Sequence, residues 1–339
     1  HSYHEFLYPK KIGGWLNVVP RMGAGVTYYS DITGGPKDLS TDTKALFHLG
    51  LDMSFKITKT WENVQSHRFG LDGLRHVVQP YLNYSYLNAD ETEGFRSIDR
   101  LAPTTRPRSI DVPLFSAVDD LRTWNIARLG VRNVLQTRRD YQTLDEGRFR
   151  DATDSTTQTY SWAGLNTYVD VFLDDPEFNR DVSNLYNELF WRPVPWFSLW
   201  ADTQLPIGNS DANFTEVNHG FTFLPTRSLS FTIGHQYMSD HPLFQNSSLF
   251  FTRIYARLNE NWGFSMNHVF EADDSTLEYQ SYSVHRDLSS WSASVGALIR
   301  DSRNGVSDYG VLFSLTLKDF PQVSIPLDMD PNQTGRGGR

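Results

Sequence analysis

The residues able to do chemistry are spread along this chain rather than gathered. His1, His4 and Glu5 stand close together, but their spacing matches neither a helical His pair nor a carboxylate-bridged site, and the segment reads as a frayed end. His48, His67, His76, His219, His235, His241, His268 and His285 fall singly on different segments. A lipid hydrolase embedded in a sheet would need a Ser, a His and an orienting Asn or Asp converging on one outer face, and Ser/His pairs are too common here to single one out. Glycines are scattered and do not cluster before a helix, so no nucleotide-binding loop is read. The 0 cysteines exclude disulfide frameworks, cysteine zinc sites and thiol catalysis together. The expectation is a non-enzymatic protein without metal or cofactor. Asn213, Asn246 and Asn332 open glycosylation sequons, which are inert in a bacterial outer membrane. What remains is a set of charged and amide side chains, Asp52, Lys56, Arg75, Gln79, Arg128, Arg132 and Gln136, joined by Arg253 further on. They share one property, a place on the polar side of alternating segments, where they would line a water-filled path or simply keep an interior wet.

The elements that would hold them are strands. Phe, Tyr and Trp number 22, 16 and 9, so rings supply much of the apolar surface, a β-rich bias. Mean hydropathy is −0.46 and no apolar run approaches the ~18 residues of a membrane helix, which leaves a membrane β-barrel open because its alternating strands average to polar. With 31 basic against 40 acidic residues, the chain lacks the cationic face that nucleic acid requires. Phe47, Leu49, Leu51, Met53, Phe55 and Ile57 alternate with His48, Gly50, Asp52, Ser54, Lys56 and Thr58. At ~3.3 Å per residue and a tilt of ~45°, such a stripe covers the ~25 Å lipid-facing band of an outer-membrane barrel. About fourteen segments of this kind start near residues 16, 45, 74, 125, 160, 184, 197, 215, 228, 248, 261, 277, 291 and 308.

Their connections alternate. Short links near 193–195, 225–227, 259–260 and 287–290 interleave with longer polar ones at 206–214, 240–247, 271–276 and 301–307, as when one barrel rim has turns and the other has loops. Trp196, Trp262 and Trp291 follow short links, placing indoles at one headgroup level. The short side is assigned to the periplasm. The link 88–123 falls on the long-loop side, and 139–157 breaks the rule by being long where a turn is due. The fold class is thus all-β, an antiparallel transmembrane outer-membrane β-barrel over 1–320 followed by a tail, 321–339, ending in a Gly/Arg stretch read as disordered. His1 in place of Met, with no leader after it, suggests a mature chain or an excised part of a longer one.

Four stretches are recognisable. Tyr8 to Arg21 (YPKKIGGWLNVVPR) with Thr27 to Ser30, Gly73 to Tyr84 (GLRHVVQPYLNY), Arg128 to Arg139 (RLGVRNVLQTRR) and Tyr282 to Leu288 (YSVHRDL) resemble the lipopolysaccharide-assembly outer-membrane barrel (LptD) family. The resemblance implies the C-terminal part of a large barrel in the bacterial cell outer membrane. Such a barrel receives lipopolysaccharide from periplasmic bridge proteins and inserts it into the outer leaflet. The lipid leaves through a lateral seam into outer-membrane lipid, the sugar crosses the lumen, and a lipoprotein plugs the interior. The family's periplasmic jelly-roll domain and paired cysteines are not in these residues, and fourteen segments are fewer than the family's strand number. The last strand, with Tyr309, Val311, Phe313, Ser314 and Leu315, is expected to form one side of the seam, since Pro321 and Pro326 prevent another full strand. Its partner would be an upstream strand of the intact protein or, if this chain is complete, the strand from about Val18 to Tyr28, where Pro20 either weakens pairing or only marks a strand start. Two rival readings are a general porin narrowed by an inward 88–123 loop and a soluble extracellular β-sandwich or carbohydrate-binding module.

Overall fold

A computed structural model describes residues 1–32, 39–90, 104–115, 117–140, 157–208, 212–226, 228–301, 307–317 and 324–326. Its elements are β1 (Ser2–Leu7), β2 (Lys10–Ile12), β3 (Leu16–Ile32), β4 (Leu39–Ser54), β5 (Ile57–Ser66), β6 (Leu71–Ala89), β7 (Trp124–Asp140), β8 (Thr157–Asp174) and β9 (Leu185–Val194). They continue as β10 (Phe197–Leu205), β11 (Thr215–Thr226), β12 (Leu229–Ser239), β13 (Ser247–Arg257), β14 (Trp262–Glu271), β15 (Thr276–Asp287), β16 (Trp291–Asp301), β17 (Ser307–Leu317) and β18 (Ser324–Pro326). All belong to one sheet in which every pairing is antiparallel, so the architecture is all-β and outer-membrane-barrel-like. Two sheets packed face to face, as a sandwich requires, are not what these strands make. Among the described residues no helix is long and apolar enough to cross a membrane.

Strands β3, β4 and β6 to β17 coincide with the fourteen alternating segments. Not anticipated are β1 and β2, which lie one after the other along β3: Ser2 to Leu7 face Val26 to Arg21, and Lys10 to Ile12 face Val18 to Leu16. The amino-terminal segment expected to fray is therefore sheet. Its turn uses Gly13 and Gly14 at φ +58° and +77°, left-handed angles that a residue with a Cβ resists. Strands β4 and β5 are likewise two pieces along β6, in a single register from Ser54↔Tyr81 to Ile57↔Val78. The gap at Phe55 and Lys56 lies opposite Pro80, which accepts a bond from the Phe55 N–H but has no N–H to return.

Register fixes the faces. Phe47, Leu49, Leu51 and Met53 point one way with Tyr84 and Leu82, and the same face carries Leu129, Val131, Leu165 and Leu189, all exposed. The opposite face is the inner one, because the segment 104–121 packs on it. That segment contains two short 3-10 turns, Val112–Leu114 and Val118–Asp120. Ile110, Val112 and Leu121 join Leu46, Leu87, Ala89, Trp124 and Ile126 in the main buried cluster, which therefore sits inside the sheet at the long-loop end. Inner glycines are covered by rings from neighbouring strands: Tyr3 over Gly23, Tyr81 over Gly130, Phe190 over Gly164 and Phe251 over Gly234, each where a Cβ would collide.

The rims alternate as expected, and the turns at 13–15 and 67–70 extend the short side towards the amino terminus. Exposed Trp15, Trp196, Trp262 and Trp291 all lie at that rim. The anomalous 139–157 connection and the Gly/Arg stretch fall largely or wholly outside the described residues. Within the expected tail, Ser324 to Pro326 pair with Thr316 to Ser314.

Candidate functional site

Parity along the strands places the whole set Asp52, Lys56, Arg75, Gln79, Arg128, Arg132 and Gln136 on the inner face, in cross-strand rows. One row runs Asp52, Asn83, Arg128, Asp170 across β4, β6, β7 and β8. Beyond an intervening inner row of Ser54, Tyr81, Gly130 and Tyr168, a second polar row holds Gln79, Arg132 and Asn166, with Lys56 opposite Gln79 by continuation of the register. Beyond a further row of Thr58, Val77, Val134 and Gly164, a third polar row holds Thr60, Arg75, Gln136 and Ser161. Neighbours in a row stand ~4.5–5.5 Å apart, so each of the three polar rows is a continuous strip.

The first row is a bonded network. Asn83 Nδ2 donates to Asp52 Oδ1 at 2.7 Å. Arg128 grips Asp170 in bidentate fashion at 2.7 and 2.9 Å, the geometry that makes Arg–carboxylate pairs strong. Its guanidinium also lies over the Tyr168 ring at 4.8 Å and donates to the Arg108 carbonyl at 2.9 Å. Asp52 thus does more than keep the wall wet: Arg21, whose side chain is almost fully buried, reaches it at 3.3 Å and reaches Asp111 of the inward segment at 2.8 Å. Nearby, the fully buried His48 contacts Ser85 Oγ at 3.0 Å, and Trp124 Nε1 donates to the same hydroxyl at 3.0 Å.

Closer to the long-loop rim the wall clasps the segment 104–121 directly. Lys44 is buried and its ammonium donates to the carbonyls of Asp119 and Leu121, each at 2.8 Å, and of Val118 at 3.4 Å. Tyr29 donates to Asp119, and Gln204 Nε2 donates to the Thr105 carbonyl at 2.6 Å. Arg108 pairs with Glu177, and Arg106 with Asp202 at 3.4 Å. Between this segment and the wall lies a cavity of about 330 Å³ lined by Phe115, Trp124, Phe172, Arg180, Tyr186 and Phe214 among others. Arg180 is sandwiched between Phe172 and Phe178 and paired with Asp175 at 2.9 Å.

Sequence reasoning missed Arg21 and Lys44. Lys44 lies before the segment start read at 45, yet it has the parity of His48 and Asp52, and extending the alternation upstream would have found it.

The expected seam residues divide. Tyr309, Val311 and Phe313 sit on the outward face of β17, and no pairing on the side away from β16 reaches them among the described residues. Ser314 and Leu315 are instead covered by β18, opposite Pro326 and Ile325. Pro20 is not at an edge. It faces Leu51 of β4 on one side, and on the other its carbonyl accepts from the Tyr8 N–H at 3.1 Å, because the segment 2–12 lies outside β3.

No family model matches the chain, and no curated protein matches it. Among solved structures it is similar to FpvA of P. aeruginosa, in a complex described as bound to heterologous pyoverdines, at 9% sequence identity and a TM-score of 0.36. That likeness covers 92% of this chain and 49% of the other, so the chain spans about half the length of FpvA.

Proposed function

We propose that this chain is the C-terminal barrel portion of an outer-membrane translocon that inserts lipopolysaccharide into the outer leaflet, its sugar passing the polar lumen and its lipid leaving through a lateral seam. One observation carries the reading. The ladder runs from β1 to β18, yet among the described residues no hydrogen-bonded pairing joins β1 or β2 to β17. The outward side chains there are the most uncovered of the apolar face, with Phe6 at 77%, Tyr309 at 77% and Val311 at 81% exposure. An amphiphile needs both a wet interior for its headgroup and a gap in the hydrogen-bonded wall for its tails, because a closed ladder admits nothing sideways. The recognisable stretches support the same reading, since two of them form neighbouring strands: Gly73 to Tyr84 lies in β6 and Arg128 to Arg139 in β7, paired from Arg75↔Gln136 to Asn83↔Arg128. A plug lipoprotein and periplasmic bridge proteins would be the partners.

These 339 residues contain 0 cysteines, so introduced cysteines have no competitor among them. A cysteine at Val311 combined in turn with one at Ser2, His4 or Phe6 would be oxidised in cells and lipopolysaccharide arrival at the surface followed. The expected result is a block on crosslinking that reductant reverses. Undiminished delivery through a fully crosslinked barrel would overturn the lateral exit.

A second reading, a general porin or solute channel, is favoured by the segment 104–121, which folds onto the inner wall as a constricting loop would. Reconstituted ion conductance that rises when Lys44 is replaced, with surface lipopolysaccharide unaffected by the crosslink, would select it.

A further inference from the structure

The cations of the inner wall fall into two groups. Towards the long-loop rim Arg21, Arg106, Arg108, Arg128 and Arg180 each hold a carboxylate, and Lys44 caps three carbonyls. Towards the short-turn rim the pattern thins, with Arg138 beside Asp72 and Arg139 donating to the Gly70 and Pro193 carbonyls. Lys56, Arg75 and Arg132 are exposed on adjoining strands, and among the described residues none has an ion pair. Arg132 has only the Tyr81 ring, 5.3 Å from its guanidinium. Arg192, on the same face of β9, likewise rests on a ring, that of Phe190 at 5.2 Å. The nearest acid in these rows, Glu188, accepts from Asn166 at 3.1 Å, and Asp72 is beside Arg138 at 3.6 Å.

Gathering like charges raises the energy of the wall, and a chain with net charge −9 has carboxylates enough to pair them. Two rows above, the alternative is in place, where Arg128 is neutralised by Asp170. Folding does not require three guanidinium and ammonium groups left open on one face, whereas recognition of a multiply charged anion does, because fork-like Arg donors match phosphate oxygens and Lys adds a point charge. Strand and row spacings spread the three Cα atoms over ~10–15 Å. A single small anion would leave part of that span unused.

We propose that Lys56, Arg75 and Arg132 form an anion subsite on the inner wall near the short-turn rim, fitted to a group bearing two or more phosphates. The inference rests on this face being a lumen, which the translocon and channel readings share, and not on the lateral exit. The phosphates could be carried by a glycolipid headgroup or by a free polyphosphate.

The test uses the folded full chain in detergent. Sodium tripolyphosphate is titrated calorimetrically into the wild type and into K56Q/R75Q/R132Q, with Arg286→Gln, on the outer face over Trp262, as control. Saturable binding that weakens with added salt is expected, with the triple variant at least tenfold weaker and the control unchanged. Each single Gln change should give a smaller loss, which keeps the question open to measurement if the triple variant does not fold. A folded wild type that binds no tripolyphosphate, or a triple variant that binds equally, overturns the subsite. A second arm offers mixed micelles of a diphosphorylated glycolipid and of its dephosphorylated form. Phosphate-dependent, triple-sensitive micelle binding supports the subsite with a lipid-linked source, and tripolyphosphate binding without it supports the subsite with a free anion as ligand.

Discussion

The wall made by β3 to β8 and the wall made by β9 to β17 solve different problems with the same alternation. In the first, β3, β4, β6, β7 and β8 run 16 to 19 residues. In the second, strands run only 9 to 12 residues. About eleven residues at a ~45° tilt already cover a ~25 Å apolar band, so the second wall is little more than a membrane crossing. The extra length of strand in the first wall rises beyond that band and carries most of the clasps for 104–121, joined by Gln204 and Asp202 of β10, which hold Thr105 and Arg106. Its buried charges bridge far apart in sequence, as Lys44 does to Leu121. In the second wall Glu271 is held locally, accepting from Ser247 Oγ at 2.7 Å and the Ser248 N–H at 2.8 Å at the base of the neighbouring loop, while the buried Glu216 accepts from Gln204 at 2.6 Å. Length beyond the membrane crossing is thus where this fold places most of its long-range contacts, around a cavity that Tyr186 of β9 helps to line.

The largest effect should come from the feature both walls share. Replacing Leu51 with Arg, on the outward stripe, should cost ~2–4 kcal/mol near a bilayer midplane, measured by denaturant unfolding in lipid. Lys56→Glu, on the inner face of the same strand line, should be nearly neutral. Equal damage from both would dissolve the assignment of faces on which the comparison stands. The simple partner choice, Asp52→Arg, does not serve, since it would set a cation against the buried Arg21.

Next in size is the clasp of the long wall. Lys44→Met leaves the buried Leu121 carbonyl and the half-buried carbonyls of Val118 and Asp119 without this donor, a loss of ~1–3 kcal/mol. Amide exchange should accelerate across 104–121 while β9 to β17 keep their protection. In the short wall, Glu271→Ala should cost a comparable or smaller amount, and faster exchange should be confined to 247–248 and 272–275. If Glu271→Ala loosened 104–121 as well, the two walls would be one cooperative unit and the contrast between them would be wrong.

The sequence made the second wall easier to read than the first, for a physical reason. Where a strand is only a membrane crossing, its outward side must be apolar and its inward side wet, so period two is written in full, as in Trp291 to Ile299. Within the membrane-crossing part of the longer strands the same parity put Asp52, Arg75 and Arg132 on one face. Beyond the apolar band that constraint lapses. Ser2 to Leu7 has polar residues on both sides and is a strand because β3 offers it partners. The inward folding of 104–121 left a weaker trace: Ile110, Val112, Phe115, Val118 and Leu121 are more apolar residues than a solvated loop needs, but nothing in their spacing names the wall they pack against. Pro20 misled for a similar reason, since a missing donor marks an edge only when no neighbouring strand covers it.

The smallest effect expected concerns the loop that closes one side of the cavity in the short wall. His241 lies between Phe214 and Phe244, at ring-centroid distances of 4.3 and 4.7 Å, and its Nδ1 accepts from the backbone N–H of Leu243 at 3.0 Å and of Phe244 at 3.2 Å. Burial pushes its pKa below the usual histidine value, and the Arg180 cation adds to the shift. The folded loop therefore favours neutral imidazole, while the unfolded loop takes up a proton near the ordinary value of about 6.5. The loop's stability is fully present above that pH and is lost as pH falls through the lowered folded-state pKa, where protonation of Nδ1 also removes both accepted bonds. Amide exchange at 240–246 should quicken from about pH 7 to about pH 5 after correction for the intrinsic rate. His241→Asn, which can keep a side-chain acceptor but does not titrate, should flatten that dependence. Protection in the 104–121 segment should not follow the same pH course, because its clasps, from Lys44 to Gln204, do not involve His241. A shared titration of both segments would mean that the cavity joins the two walls into one switch.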